Sequence, residues 1–302
     1  MAEPILFVNG EYRPLSQASV SVLDQGFLLG DGIFDVVSAW QGHVFKLDQH
    51  VDRFFQSLQA TGIRPRLTKS DWKDAILETV RRNELQDASI RFIATRGVPQ
   101  GIIADPRHHD ATTIVWAAPY IFLADDEGRR RGIRLMLSSL RGFTPDTLDP
   151  RYKSLDRLHF QLARLEAVDA GYDDLLWLTR DGYVAEGPAS NVFMVTGGTL
   201  VTPGREILRG ITRQTFIELA AELDIPVREA DLTPYDLFNA DEVFTCSTAG
   251  GALAVREIAG RTIGANAGAG TPQVPGPITH ALDELYWRKR EAGWHGTAIS
   301  AG

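Results

Sequence analysis

The stretch VAEGPASNVF, residues 184–193, sets an acid, Glu186, beside Gly187 and Pro188, follows them with small residues, and ends in an apolar run that reads as a strand. A carboxylate at the mouth of a strand about to be buried on both faces is expensive unless something pairs with it. Outward from this point, short apolar runs predict strands over 133–138, 174–179, 191–196, 199–202 and 242–246. Helical spacing predicts helices over 212–223 and 278–290, and one that carries Leu155, Leu158, Leu162, Leu165 and Val168 on one face and closes at Gly171. This alternation defines a larger α/β domain over 133–302.

The polar run LADDEGRRRG, 123–132, has no apolar periodicity and reads as a linker. Before it, 1–122 reads as a small α+β domain. A hairpin turns at Asn9-Gly10, strands cover 33–40, 43–47, 89–95 and 112–118, Asp48 caps one helix, and a second helix runs over 71–82. The first helix turns Val51, Phe54, Phe55 and Leu58 to one side, the second Trp72, Ala75, Ile76 and Val80. At 302 residues, two domains are the natural expectation. The 44% hydrophobic content supports a full core, and the net charge of −8 argues against nucleic-acid or anionic-membrane partners. No apolar run approaches the ~20 residues of a membrane span. The single cysteine, Cys246, and the absence of a leader-like N-terminus predict a cytoplasmic protein.

Five lysines stand against 26 arginines, so a reactive lysine is easily sought. Lys46, Lys69, Lys73 and Lys289 read as solvated cations. Lys153 directly precedes Ser154 and an amphipathic helix, where partial desolvation favours the neutral, nucleophilic amine. LRGITRQT, 208–215, places Gly210, Ile211 and Thr212 at a helix head, whose N–H groups attract phosphate. CSTAGG, 246–251, has the composition of a backbone nest for anions. One amine, two phosphate cradles and one semi-buried carboxylate together suit pyridoxal 5'-phosphate, which needs an amine to bond, donors for its phosphate and an anion beside its pyridine nitrogen. The anion is Glu186.

The motifs YKSLDRL, EGPASNVF, LRGITR, ADEVFTCSTAGG and GFLLGDGIFDVVSAWQG, over almost the whole chain, resemble those of class IV, or fold type IV, pyridoxal-phosphate aminotransferases. The resemblance implies a D-amino-acid-aminotransferase-like fold and a homodimer, with the cofactor between the lobes and the pocket completed by the partner chain. It implies Lys153 as the cofactor-bound lysine and Glu186 on the pyridine nitrogen. It puts Arg53, Ile211, Thr212 and Thr248 on the phosphate, Leu208 against the ring, and Asn191 near the phenolic oxygen.

For the substrate, the resemblance implies Phe34, Val36 and Ala249 as pocket residues and Arg91 as the reader of a distal carboxylate, with Arg96 a second candidate. Val36 stands where branched-chain enzymes carry glycine, and Ser89 where they carry tyrosine. TRGVPQG, 95–101, lacks the arginine and histidine of the D-amino-acid carboxylate trap. DPRYK and STAGG point to the (R)-amine transaminases. A D-amino-acid transaminase, a pyridoxal lyase resembling aminodeoxychorismate lyase, and a carrier without turnover are the alternatives. His108-His109 reads as a solvated pair and not as a metal site. The Gly/Pro/Ala-rich loop 264–277 has no assigned chemistry.

Overall fold

A computed structural model describes residues 3–99, 105–265 and 272–299. Two compact units divide the chain: Met1–Ile121 with Tyr152–Arg157 and Arg290–Gly302, and Phe122–Arg151 with Leu158–Lys289. The boundary thus differs from a single break at 123–132. The six residues around Lys153 and the C-terminal tail belong to the first unit, because both add backbone pairing to its sheet.

In the first unit the strands are β1 (Ile5–Val8), β2 (Glu11–Pro14), β3 (Gly32–Trp40), β4 (His43–Phe45), β5 (Ala88–Thr95) and β6 (Thr113–Pro119). The tail strand Gly296–Ala298 makes the seventh, in the order tail, β4, β3, β5, β6, β1, β2. Helices α1 (Gln25–Leu29), α2 (Leu47–Thr61) and α3 (Lys69–Arg82) accompany them. The predicted faces of α2 and α3 are inward: Val51, Phe54, Leu58, Trp72, Ile76 and Val80 are buried with Val37, Ile90 and Phe92 of the sheet. Phe54 is central, its ring centroid 5.0 Å from that of Trp72 and 4.9 Å from that of Phe92. Helix α3 starts on a capping box in which Thr68 and Asp71 satisfy each other's backbone donors. Helix α2 has Lys46, in left-handed conformation, at its N-cap, so Asp48 lies in the first turn and is not the cap.

The second unit contains β7 (Ile133–Arg141), β8 (Asp174–Leu178), β9 (Asn191–Thr196), β10 (Thr199–Thr202), β11 (Val227–Glu229), β12 (Glu242–Ser247), β13 (Gly251–Ile258) and β14 (Arg261–Thr262). Its helices are α4 (Asp126–Arg131), α5 (Leu158–Asp169), α6 (Ile211–Glu222), α7 (Pro234–Phe238) and α8 (Pro277–Glu291). The sheet runs β11-β10-β9-β12-β13-β7-β8, with β14 on β13. Strand β9 is buried on both faces. Val192 and Met194 lie in one apolar cluster with Val201 and Val243, and Phe193 stacks on Phe244 at 5.0 Å on the other side. The strand after Glu186 is therefore as enclosed as its sequence implies.

Several elements depart from the sequence reading, three of them instructively. The run 123–132 contains α4, capped by Asp125 and carrying Asp126 and Glu127 in its first turn and three arginines in its last, a charge order that favours a helix even without apolar periodicity. Strand β13 was hidden by its small residues, Gly251, Ala252 and Ala254. Helix α5 forms, but it buries Ala163 and Ala167 and leaves Leu158, Leu162, Leu165 and Val168 exposed, because small residues allow close approach to Trp177 and Leu175. Residues 266–271 of the 264–277 loop, and 100–101 of TRGVPQG, lie outside the described residues.

Replacing Trp72 with Ala should cost about 3–5 kcal/mol of stability, the usual loss for a buried aromatic. Denaturant unfolding measures it, and a loss below about 1 kcal/mol would mean that the α2–α3 layer does not depend on this ring.

Candidate active site

In the first unit, β5 pairs with β3 from Gly32 to Ala39, whereas β4 meets only Ala39 and Trp40 on the opposite edge. The start of that edge is taken by the segment carrying Lys153. Phe34 N–H donates to the Lys153 carbonyl and Leu155 N–H to the Gly32 carbonyl, both at 2.8 Å, and Ile33 lies opposite Ser154 in an antiparallel bridge. Opposed residues of an antiparallel pair share a face, and neighbours along a strand alternate. Ser154 is thereby on the face of Ile33, and Lys153 on the face of Phe34. The Lys153 Nζ lies 5.0 Å from the Phe34 ring centroid. Val36 is on this face too, and so is Arg91, which sits opposite Val36 on β5 with its guanidinium carbon 5.1 Å from the same ring centroid.

The other face of β3 carries Asp35 among the core residues Ile33 and Val37. Asp35 is fully buried and accepts from Arg53 Nε and Nη2 at 2.8 and 2.7 Å and lies 2.9 Å from His50 Nδ1. Burial by itself would raise the Asp35 carboxyl, but the Arg53 guanidinium and the His50 ring together hold it below the usual carboxylate range. Burial lowers His50, and the pull of Asp35 only partly offsets this. Arg53 is thus held on α2 by a bidentate carboxylate. Arg96 does not join the Lys153 face: it pairs with Asp31 and donates to the Thr61 carbonyl at 3.0 Å, tying the end of β5 to the end of α2.

In the second unit, Glu186 follows a hairpin in which Leu178 bridges Val184, and its carbonyl accepts from Trp177 N–H at 3.1 Å. Its side chain is buried, and Oε2 accepts from Asn191 Nδ2 at 2.9 Å and from Leu208 N–H at 3.0 Å. Asn191 also donates to the Leu208 carbonyl at 3.0 Å. One asparagine, the first residue of β9, therefore joins the carboxylate to the 207–210 loop. Gly210 must be glycine, since a Cβ there would lie 2.0 Å from Asn191 Oδ1. Gly210 is the N-cap of α6 and brings no side chain to its end, so the N–H groups of Ile211 and Thr212 face no side-chain cap. Cys246, opposite Asn191 in the β9–β12 register, is fully buried, and burial pushes its thiol up, so it is not a nucleophile.

The turn from β12 to β13 carries Thr248 and Ala249. Ala249 N–H donates to Ser247 Oγ at 3.1 Å, and its carbonyl accepts from Leu123 N–H at 3.2 Å. Gly251 has φ +69°, and a Cβ on it would reach Asp283 Oδ1 at 2.9 Å. Asp283 holds the turn from behind by accepting from Ala252 N–H at 3.0 Å. Its carboxyl is raised to about 6 by burial, against the Ala252 N–H, Arg129, Trp287 and His280.

The donor set fits pyridoxal phosphate on the chain's own terms. A buried carboxylate fixed through one oxygen by two N–H donors suits a cationic ring nitrogen, and a helix start with no capping side chain suits a phosphate. Asp35, His50 and Asp283 were not singled out from the sequence. An acid inside the apolar run GIFDVVSAW, with His50 and Arg53 three apart on a helix, was the signal for the first two.

The chain belongs to the class IV aminotransferases: the family description "Amino-transferase class IV" matches residues 32–258. It is 41% identical over 284 residues to a putative branched-chain-amino-acid aminotransferase of Methanocaldococcus jannaschii, covering 93% of this chain and 94% of that one. It is 30% identical over 282 residues to a D-alanine aminotransferase of Bacillus licheniformis, covering 91% and 93%. The structure of the T.th. branched-chain amino acid aminotransferase complexed with N-(5'-phosphopyridoxyl)-L-glutamate superposes with a TM-score of 0.89 at 30% identity, over 99% of this chain and 100% of that one. The chain is accordingly a pyridoxal-phosphate-dependent transaminase with the fold of type IV enzymes.

Asp283 gives a pH prediction. Unfolded, this carboxyl ionises near 3.8, and folded near 6. Between those values the folded state keeps a proton that the unfolded state has lost, so stability falls as pH rises from about 4 to 6 and stays lower above. Asp283→Asn removes that dependence, and its stability relative to the parent should rise by up to about 3 kcal/mol from pH 4 to pH 8. Unfolding curves at the two pH values test this; an unchanged difference would mean that Asp283 titrates normally.

Proposed function

We propose that the enzyme moves an amino group between an amino acid or an (R)-configured primary amine and a 2-oxo acid, with Lys153 as its nucleophile and proton carrier. The observation that carries the reading is the buried Glu186 carboxylate fixed by Asn191 and Leu208. Bound pyridoxal phosphate supplies an electron sink through its pyridine ring. Glu186 keeps the ring nitrogen protonated, and Asn191 and Leu208 keep Glu186 aimed. Arg53, with the N–H groups of Ile211 and Thr212 and with Thr248, binds the phosphate, and Asp35 and His50 hold Arg53 in place. Lys153 Nζ would take the proton from the substrate carbon and hold it for its return. Arg91 reads a substrate carboxylate; Arg96, engaged by Asp31, does not. Phe34, Val36 and Ala249 line the substrate pocket, and Val36 with the DPRYK and STAGG segments supports acceptance of (R)-amines.

Purified enzyme mixed with an amino donor alone should change the visible absorbance of its cofactor and release one carbonyl product per protomer, and a 2-oxo acid should reverse the change. Lys153→Ala should abolish both. Continuous pyruvate release without an acceptor would identify a lyase, no change with any donor would identify a carrier, and activity retained in Lys153→Ala would remove that lysine from the reaction.

A homodimer belongs to the same proposal. Leu158, Leu162, Leu165 and Val168 form an exposed stripe on α5, and Val22, Phe27 and Leu29 are about 70% exposed in the 15–31 segment of the first unit. A protein rarely leaves such apolar patches to water, and we assign them to the contact that lets a partner chain complete the pocket. Leu162→Glu with Leu165→Glu should lower the mass measured by light scattering from two chains to one and reduce turnover at least tenfold. A parent protein that is already a monomer at working concentration would overturn the assignment.

A further inference from the structure

Helix α6 begins with a charge of the wrong sign. The N-terminus of a helix favours acids, yet the first turn of α6 holds no acid and carries Arg213, which is only 5% exposed. A buried guanidinium is costly unless its donors are paired. Here Nε donates to Thr202 Oγ1 at 3.3 Å, Nη2 donates to the Pro203 carbonyl at 2.9 Å, and Nη2 lies 3.0 Å from Glu229 Oε2. Thr202 and Glu229 stand opposite each other at the ends of β10 and β11. The arginine thus straps the first turn of α6 to the ends of two strands.

The strap closes a loop. Residues 203–210 leave β10 and lead into α6, and Arg213 holds the first of them by its carbonyl from a position three residues past the last. Within that loop Leu208 N–H donates to Glu186 and the Leu208 carbonyl accepts from Asn191, and the loop ends at the N–H groups of Ile211 and Thr212. A second branch runs through the sheet. Thr202 Oγ1, which accepts from Arg213, donates to the Val192 carbonyl at 2.8 Å, beyond the last backbone pair of β9 with β10 at Met194 and Val201. Val192 follows Asn191. An ion pair with the half-exposed Glu229 would contribute little by itself, and it does not explain why the guanidinium is buried with its other donors on neutral oxygens.

We propose that Arg213 is a positioning residue for the cofactor. By closing the base of 203–210 it keeps Leu208 on Glu186 and the start of α6 in one frame, so that the ring-nitrogen end and the phosphate end of the cofactor's seat hold together or loosen together. The proposal rests on Glu186 and the start of α6 being those two ends. A second cation of the same loop provides the contrast. Arg205 pairs with Asp231 at 2.8 Å, but both side chains are about half exposed, and a pair of that kind fixes little.

The test is site-resolved amide hydrogen exchange of the holoenzyme, together with the rate at which it releases pyridoxal phosphate. Arg213→Met keeps the stem and removes the donors. Exchange at Leu208, Ile211 and Thr212 should then quicken at least about tenfold more than at Phe244 in β12, and cofactor release should quicken at least about tenfold, the scale of one lost charge-assisted hydrogen bond. Arg213→Lys, which cannot meet all three acceptors at once, should recover part of both. Arg205→Gln should change either by less than about twofold. If Arg213→Met lowers the folded yield, Thr202→Val, which removes one hydroxyl, should give the same pattern at about threefold or more. Exchange that quickens equally at Phe244, or a loop that quickens as much in Arg205→Gln, would overturn the proposal and leave Arg213 as packing. The exchange readings need no turnover. Faster exchange at Leu208 without faster cofactor release would overturn the assignment of Glu186 and the start of α6 as the cofactor's two ends. Amino transfer by the parent with no change at Leu208 in Arg213→Met would overturn the strap and leave that assignment standing.

Discussion

Everything on the Phe34 face depends on one backbone arrangement, the antiparallel clip of residues 153–155 onto the open start of β3. Two short hydrogen bonds choose the register, and the register chooses the face. Shifted by one residue, the clip would send Lys153 into the core beside Ile33 and bring Ser154 to the surface of Phe34. The lysine's position is thus a property of sheet pairing, and the helix that follows contributes only the place where the segment must end. Gly32 takes part because it has no side chain: a Cβ there would lie 2.6 Å from the Leu155 side chain.

The two units solve the same electrostatic problem in different ways. In the first, Asp35 is buried beneath the Lys153 face and is kept ionised by Arg53 and His50. Removing Asp35 or Arg53 alone would strand the other's charge in the core, a loss of about 3–5 kcal/mol in comparable cases. In the second, Glu186 is buried against neutral donors, an amide side chain and a backbone N–H. Both donors meet one oxygen, and together they fix the direction of the carboxylate.

Much of this was legible in the sequence. The central strand of the second unit was expected at 191–196 and occurs there, because its residues are apolar on both faces and its ends are marked by Ser190 and by Gly197-Gly198. The inward faces of α2 and α3 followed from spacing alone. The family motifs imply Lys153, Glu186 and the segments around Gly210 and Thr248 as the site. What stayed hidden were consequences of three-dimensional pairing. Nothing local told that 152–157 would join the first unit's sheet, that the leucines of α5 would be exposed while two alanines turned inward, or that Arg96 would be taken by Asp31, 65 positions away.

Lys153 is proposed as the residue that bonds the cofactor, and borohydride reduction of the holoenzyme followed by peptide mapping tests this most directly. Reduction should fix one pyridoxyl group per chain, on the peptide containing Lys153 and on no other. A label on Lys46, Lys69, Lys73 or Lys289, or a holoenzyme in which no lysine is labelled, would contradict it.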